Sequence, residues 1–178
     1  MRNSQQEFSQ KEMGQMNETT KIRPLAIKYC EGCGIDLGCG DEKIRPEAIG
    51  IDAGMDVIHS GIKEWRDLSV VNIKHKIVNL NLFESNSFSY VYSSHFLEHL
   101  ADPELMLKEM TRVTCPGGHV VVYLPDRLLY TQPNSEHKHM WTLDEFLNLL
   151  PDCLEVVENI AKHEDYSFFI AAKKRTSE

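Results

Sequence analysis

The chain has 178 residues, enough for one domain with a core of its own. Twenty-seven acidic residues against 19 basic ones leave a net charge of −8, which argues against a broad electrostatic grip on nucleic acid. No apolar run approaches the roughly 20 residues of a bilayer span, and five cysteines, an odd number, define no disulfide framework.

Residues 1–21 are rich in Gln, Glu, Ser, Asn and Thr, with Phe8, Met13 and Met16 as scattered apolar anchors. They read as a polar tail or one weak amphipathic helix. They contain no apolar h-region, so no signal peptide is expected and the cytoplasm is the expected compartment. From residue 22 to 178 the pattern is that of one globular domain. Cys30 and Cys33 form a C-x-x-C, but it precedes the first core strand and no second pair follows at zinc-ribbon spacing, so both are read as reduced thiols.

Strand-like runs then recur: GIDL from Gly34, AIGID from Ala48, KIVNL from Lys76, FSYVYSS from Phe88, HVVVYLP from His119, EVVENIAK from Glu155 and YSFFIAAK from Tyr166. Continuous apolar stretches such as Val120 to Leu124 suit strands buried on both faces. Two helices are signalled between them. The first has Asp102 as N-cap, Pro103 at the first helical position and Glu104 near the positive end of the dipole. Leu105, Met106, Met110 and Val113 give it an apolar face, and Pro116-Gly117-Gly118 stops it. The second pairs Thr142 with Glu145 as a capping box and Trp141 with Phe146 as a hydrophobic staple. Alternating strands and helices predict a Rossmann-like open α/β sheet, mostly parallel, with ligands at the carboxyl ends of its strands. Only a few residues, around His163 to Asp165, separate the last two strands, so these form an antiparallel hairpin.

Gly38-Cys39-Gly40 follows the first strand, where bare backbone turns sharply and lets a ligand approach main-chain atoms. Asp52, at the end of the next strand, is placed to accept from both hydroxyls of a ribose. A dinucleotide site wants a third glycine, yet the register reads Gly38-Cys39-Gly40-Asp41-Glu42-Lys43, and Asp41 and Glu42 repel a pyrophosphate. This disfavours a nicotinamide dehydrogenase; a ligand with a ribose and no phosphates fits better. Only the seven residues Asp41 to Glu47 lead to the second strand, which reduces the first helix to a turn and leaves the N-terminal segment to cover that face.

These residues resemble motif I of the class I S-adenosylmethionine-dependent methyltransferases, and the likeness continues in order. IGIDA is similar to the second-strand acid, SNSFSYVYSSHFLEHL to the fourth strand and its loop, and LKEMTRVTCPGGHVVVYLPD to the helix and fifth strand. HMWTLDEFLNLL and the final hairpin also match, so the resemblance runs from about Lys28 to Lys174, closest to a small bacterial group found beside glycan-assembly genes. It implies S-adenosylmethionine as cofactor and S-adenosylhomocysteine as product. By the same resemblance Asp36 orients the glycine loop and the cofactor's ammonium, while Leu37, Gly38, Cys39 and Gly40 line its methionine part. Asp52 and the adjoining Ala53 meet the ribose, Asn79 and Leu80 flank the adenine, and Ser94 and His95 face the methyl. Two positions depart from the pattern: Asn79 stands where many relatives carry Asp, and Ser89 replaces an acid.

The expected acceptor is a small molecule or glycan intermediate. His95 is the candidate catalytic base, with His137, His139 and Asp126 on segments that line the acceptor pocket. The stretch His95 to His99 also fits the H-x-x-E-H pattern of zinc peptidases. No third ligand of that pattern is apparent, and no metal is expected. A non-catalytic cofactor-binding subunit is the alternative reading, and nothing in the sequence sets an oligomeric state.

Overall fold

The runs read as strands buried on both faces form the middle of a seven-stranded sheet in a computed structural model, which describes residues 17–53, 58–59, 62–63, 68–74, 76–132, 134–164 and 166–176. In chain order its strands are β1 (Gly34–Leu37), β2 (Ile49–Asp52), β5 (Ile73–Lys74), β6 (Phe88–Ser94), β7 (Thr114–Pro125), β8 (Leu154–His163) and β9 (Ser167–Lys174). Two-residue strands β3 (Ile58–His59) and β4 (Ile62–Lys63) pair with each other apart from it. The spatial order is β5-β2-β1-β6-β7-β9-β8. β5 to β7 are mutually parallel, whereas β9 runs antiparallel to both β7 and β8. The reversal has the cause read from the sequence: His163 already pairs with Ser167 across a short turn.

Alternate residues of each central strand serve opposite layers. Ile35, Leu37, Val91, Val120, Val122, Phe168 and Ile170 face one core, covered by α2 (Pro103–Val113) and the single-turn α3 (Leu143–Leu147). Tyr90, Tyr92, Val121, Tyr123, Phe169 and Ala171 face the other, covered by Ile22 and Ala26 of α1 (Glu18–Ala26). Both predicted caps form: Asp102 accepts from Leu105 N, and Thr142 with Glu145 closes a full capping box beside a Trp141–Phe146 ring contact at 5.4 Å.

The helix α1 begins inside the segment read as a polar tail or weak helix; residues 1–16 of that segment lie outside the described residues. Asn17 caps it by accepting from Thr19 N, and a stripe of Thr19, Ile22 and Ala26 is buried despite Pro24 in its interior. It lies over the side of the sheet that the short link from β1 to β2 leaves without a crossover helix. That link consists of turns, one of them closed by Ala48 N donating to Arg45 O.

Three expectations need correction. Leu105 is 44% exposed, and Leu107 takes its place in the core, because the buried face of α2 falls on Met106, Leu107, Met110 and Val113. KIVNL is no strand: Ile77 and Leu80 are buried three apart in a loop, and β5 lies earlier, at Ile73–Lys74. Pro116-Gly117-Gly118 lies within β7, since α2 already ends at Val113 and Thr114 pairs with Phe88. Among the described residues, no helix is long and apolar enough to cross a membrane.

Candidate functional site

Parallel strands end on one edge, so β1, β2, β6 and β7 bring their carboxyl ends together. Gly38 has φ +70°, and a Cβ there would lie 2.6 Å from the Phe96 ring; both facts require glycine. The turn folds back on the end of β2, with Gly38 N donating to Ile51 O at 2.8 Å and Gly40 N donating to Asp52 Oδ2 at 3.0 Å. Leu37 is wholly buried and offers its backbone alone, while Ala53 is exposed beside Asp52. Burial pushes the Cys39 thiol up to about 12, so it stays protonated.

Asp36 lies beneath the turn, 1% exposed, and accepts from Ile44 N at 2.6 Å. Burial raises its carboxyl to about 8, opposed by that hydrogen bond and by the charges of Lys43 and Arg23. The start of α1 holds the turn from outside: Asn17 Nδ2 donates to Asp41, Thr20 donates to Glu42, and Arg23 pairs with Glu42 at 2.6 Å.

Beside Asp52, Ile51, Ile73, Ile77, Asn79, Leu80 and Phe83 line an apolar cleft. Asn79 is exposed, and its Oδ1 accepts from Asn81 N at 3.1 Å, so its carbonyl shapes the loop. The loop is clamped to α2. Glu109 accepts from Leu80 N, and Arg112 donates to Leu80 O and Phe83 O while forking onto Glu109. The sequence reading passed over this clamp, although Glu109 and Arg112 stand at helical i,i+3 spacing.

At the end of β6, Ser94 is buried beside the Tyr92 hydroxyl. His95 follows at φ +46°, its N–H donating to Tyr123 O. Its Nε2 lies 3.0 Å from Ser167 Oγ and 3.6 Å from Glu18 Oε2, and its Nδ1 lies 3.6 Å from Glu98 Oε1. Burial brings the imidazole down to about 4, against the pull of Glu18, and keeps it neutral near pH 7. Glu18 and Tyr166, hydrogen-bonded to each other over this ring, carry no sequence signal for such a place. The H-x-x-E-H stretch forms a 3-10 turn, Leu97–His99, so His95 and His99 do not share one α-helical face. Of the other acceptor-side candidates, Asp126 accepts from Leu128 N and shapes the turn after β7, and His139 stacks on Trp141 at 5.5 Å.

The family model described as a methyltransferase domain matches residues 35–122, from the start of β1 into β7. An uncharacterised 37.1 kDa transposon protein from Streptomyces fradiae is 30% identical over 71% of this chain and 39% of its own length. A demethylmenaquinone methyltransferase from Staphylococcus aureus is 36% identical over 54% of this chain and 41% of its own. The chain thus spans about two fifths of the length of these curated relatives. Among solved structures, an S-adenosylmethionine-dependent methyltransferase from Listeria monocytogenes superposes with TM-score 0.64 at 14% identity, covering 89% of this chain and 97% of that one. The complex of a Haloferax volcanii methyltransferase activator, Trm112, with its methyltransferase gives TM-score 0.66 at 13% identity, with 94% of each chain covered. At such identities the structures speak for the fold, and the family-model match spans the glycine turn, the end of β2 and the segment after β6. On these grounds the chain belongs to the class I S-adenosylmethionine-dependent methyltransferases, whose cofactor is S-adenosylmethionine.

Proposed function

We propose that this chain moves the methyl group of S-adenosylmethionine to a small-molecule or glycan-intermediate acceptor, releasing S-adenosylhomocysteine. The observation that carries this reading is the pairing of a positive-φ glycine turn with Asp52 across the ends of adjacent parallel strands, Gly40 N to Asp52 Oδ2 at 3.0 Å. In this reading Asp52 receives the ribose hydroxyls, the cleft of Ile73, Ile77, Asn79 and Leu80 takes the adenine, and the backbone of Gly38 to Gly40 lines the methionine part. Buried Asp36 meets the ammonium from beneath, through the turn. Ser94 and His95 face the methyl, and His95 takes the proton from the acceptor.

The sulfonium carries the reactive carbon, so the protein's part is alignment in a dry site. A small-molecule acceptor has support in the relative named for demethylmenaquinone. The test has two steps. Calorimetric titration with S-adenosylhomocysteine is expected to give one site per chain. A metabolite-extract screen is then expected to yield an acceptor whose mass rises by one methyl. A folded protein that binds no S-adenosylhomocysteine overturns the reading.

A further inference from the structure

We propose that Glu98, His99 and His137 form a binding site for a divalent transition-metal ion at the carboxyl end of β6. One ligating atom from each lies within 4.8 Å of the others, close enough for a cation with bonds of about 2.0–2.2 Å to draw together by small side-chain rotations. Glu98 stands in the turn Leu97–His99 at 0% exposure, and beyond its own backbone neither of its carboxylate oxygens has a hydrogen-bond partner among the described residues. Buried polar groups are ordinarily partnered, and a buried carboxylate needs a cation or a proton. The imidazole nitrogens beside its Oε1, His95 Nδ1 at 3.6 Å and His99 Nε2 at 3.8 Å, lie beyond hydrogen-bond length.

The two imidazoles are set for ligation by what stands behind them. His99 Nδ1 lies 3.1 Å from the Glu136 carbonyl, which accepts only, so Nδ1 carries the proton and the lone pair sits on Nε2, the nitrogen toward Glu98. A backbone carbonyl behind a ligating histidine is the usual outer-shell arrangement. His137 makes a similar contact, Nδ1 to Met140 Sδ at 3.1 Å. The loop bearing His137 is fastened to Glu98 itself, whose carbonyl accepts from Lys138 N at 2.9 Å and His139 N at 3.2 Å. One residue thus supplies both a carboxylate and the anchor that positions the third ligand. This third ligand arrives from a distant loop, outside the peptidase-like spacing, in which no third ligand was apparent.

Two imidazoles and a carboxylate suit zinc or a neighbouring first-row ion and leave coordination positions for an outside oxygen donor. His95 touches both this cluster and the place proposed for the methyl. Resting on the methyltransferase reading, the ion's ligand is then an acceptor bearing a hydroxyl or carboxylate.

The test titrates chelator-treated full-length protein with zinc chloride by calorimetry and with cobalt(II) by absorbance. One ion per chain is expected, with visible cobalt bands and without the charge-transfer band of a thiolate. His137→Ala, on a loop, and Glu98→Gln, which keeps the side-chain shape, are each expected to weaken binding at least about tenfold. Their metal-free melting temperatures serve as the folding check. Absence of binding, a thiolate band, or affinity unchanged in both variants overturns the site. Titration of the same preparation with S-adenosylhomocysteine separates the two ideas. Cofactor binding without metal binding removes the metal site and leaves the methyltransferase reading, and the reverse result does the opposite.

Discussion

Two demands meet on the carboxylate of Asp52. One oxygen holds Gly40 N–H in the turn, and a ribose would draw on both. Asp52→Asn separates the demands, because the amide oxygen still accepts from Gly40 while the charge and one acceptor are lost. Its melting temperature is expected to stay near that of the parent, while S-adenosylhomocysteine binding weakens by about 1.5–3 kcal/mol, at least tenfold in Kd. Unchanged affinity in calorimetry would remove the ribose role. Asp36 gives a pH signature instead. Its folded-state value of about 8 stands above the usual 3.8, so the folded chain keeps a proton that the unfolded chain has released. The stability from that proton is full below about pH 4 and is lost as pH rises through 8. Asp36→Asn can still accept from Ile44 N, and its melting temperature should fall less between pH 5 and 8 than the parent's. Parallel curves would show that burial does not raise this carboxyl. At this scale Gly38, Gly40 and Asp52 were legible because backbone strain and a strand-end carboxylate have local causes. Glu18 was not, since its neighbours His95 and Tyr166 are far away in sequence.

The elements differ in how openly they announce themselves. Both helices on the α2 side have caps written in adjacent residues, so their starts could be read off directly. Helix α1 carries an interior proline and few apolar residues, and its helicity rests on packing against the tyrosine-rich face of the sheet. Ile22→Ala is accordingly expected to cost about 2–5 kcal/mol, a drop of about 4–20 °C in Tm for a chain of this size. A loss under 1 kcal/mol in denaturant titration would mean that α1 adds little to the fold. The clamp from α2 makes a different prediction. Arg112→Ala leaves the carbonyls of Leu80 and Phe83 without their guanidinium donors, which costs about 1–3 kcal/mol. Amide exchange should quicken across residues 77–83, and S-adenosylhomocysteine should bind more weakly although Arg112 is not among the residues lining the cleft. Exchange unchanged in that loop would dissociate the clamp from the cleft. KIVNL misled because a buried i,i+3 pair in a loop and a short strand present the same apolar letters.

Across the whole molecule, strand direction was readable from the lengths of connections: seven residues exclude a crossover helix, and a tight turn forces the β8–β9 reversal. That the N-terminal segment covers the second face was readable from the same short link, whereas the bounds of its helix were not, because they are defined by the sheet it meets. That helix also sets where the chain enters. Glu18 meets His95 and Tyr166 at the carboxyl-end edge, whereas Tyr29, just past the helix, meets the His119 ring at a tilt low on β7. The chain therefore comes in over the proposed methyl-transfer site and descends, and β9, antiparallel to β7, runs out from Ser167 to Lys174 at the opposite edge. An engineered fusion joined at Asn17 would begin beside the proposed methyl-transfer site, while one joined after Lys174 would begin at the far edge. For surface immobilisation or a fused reporter, the carboxyl end is the handle that leaves the doorway open.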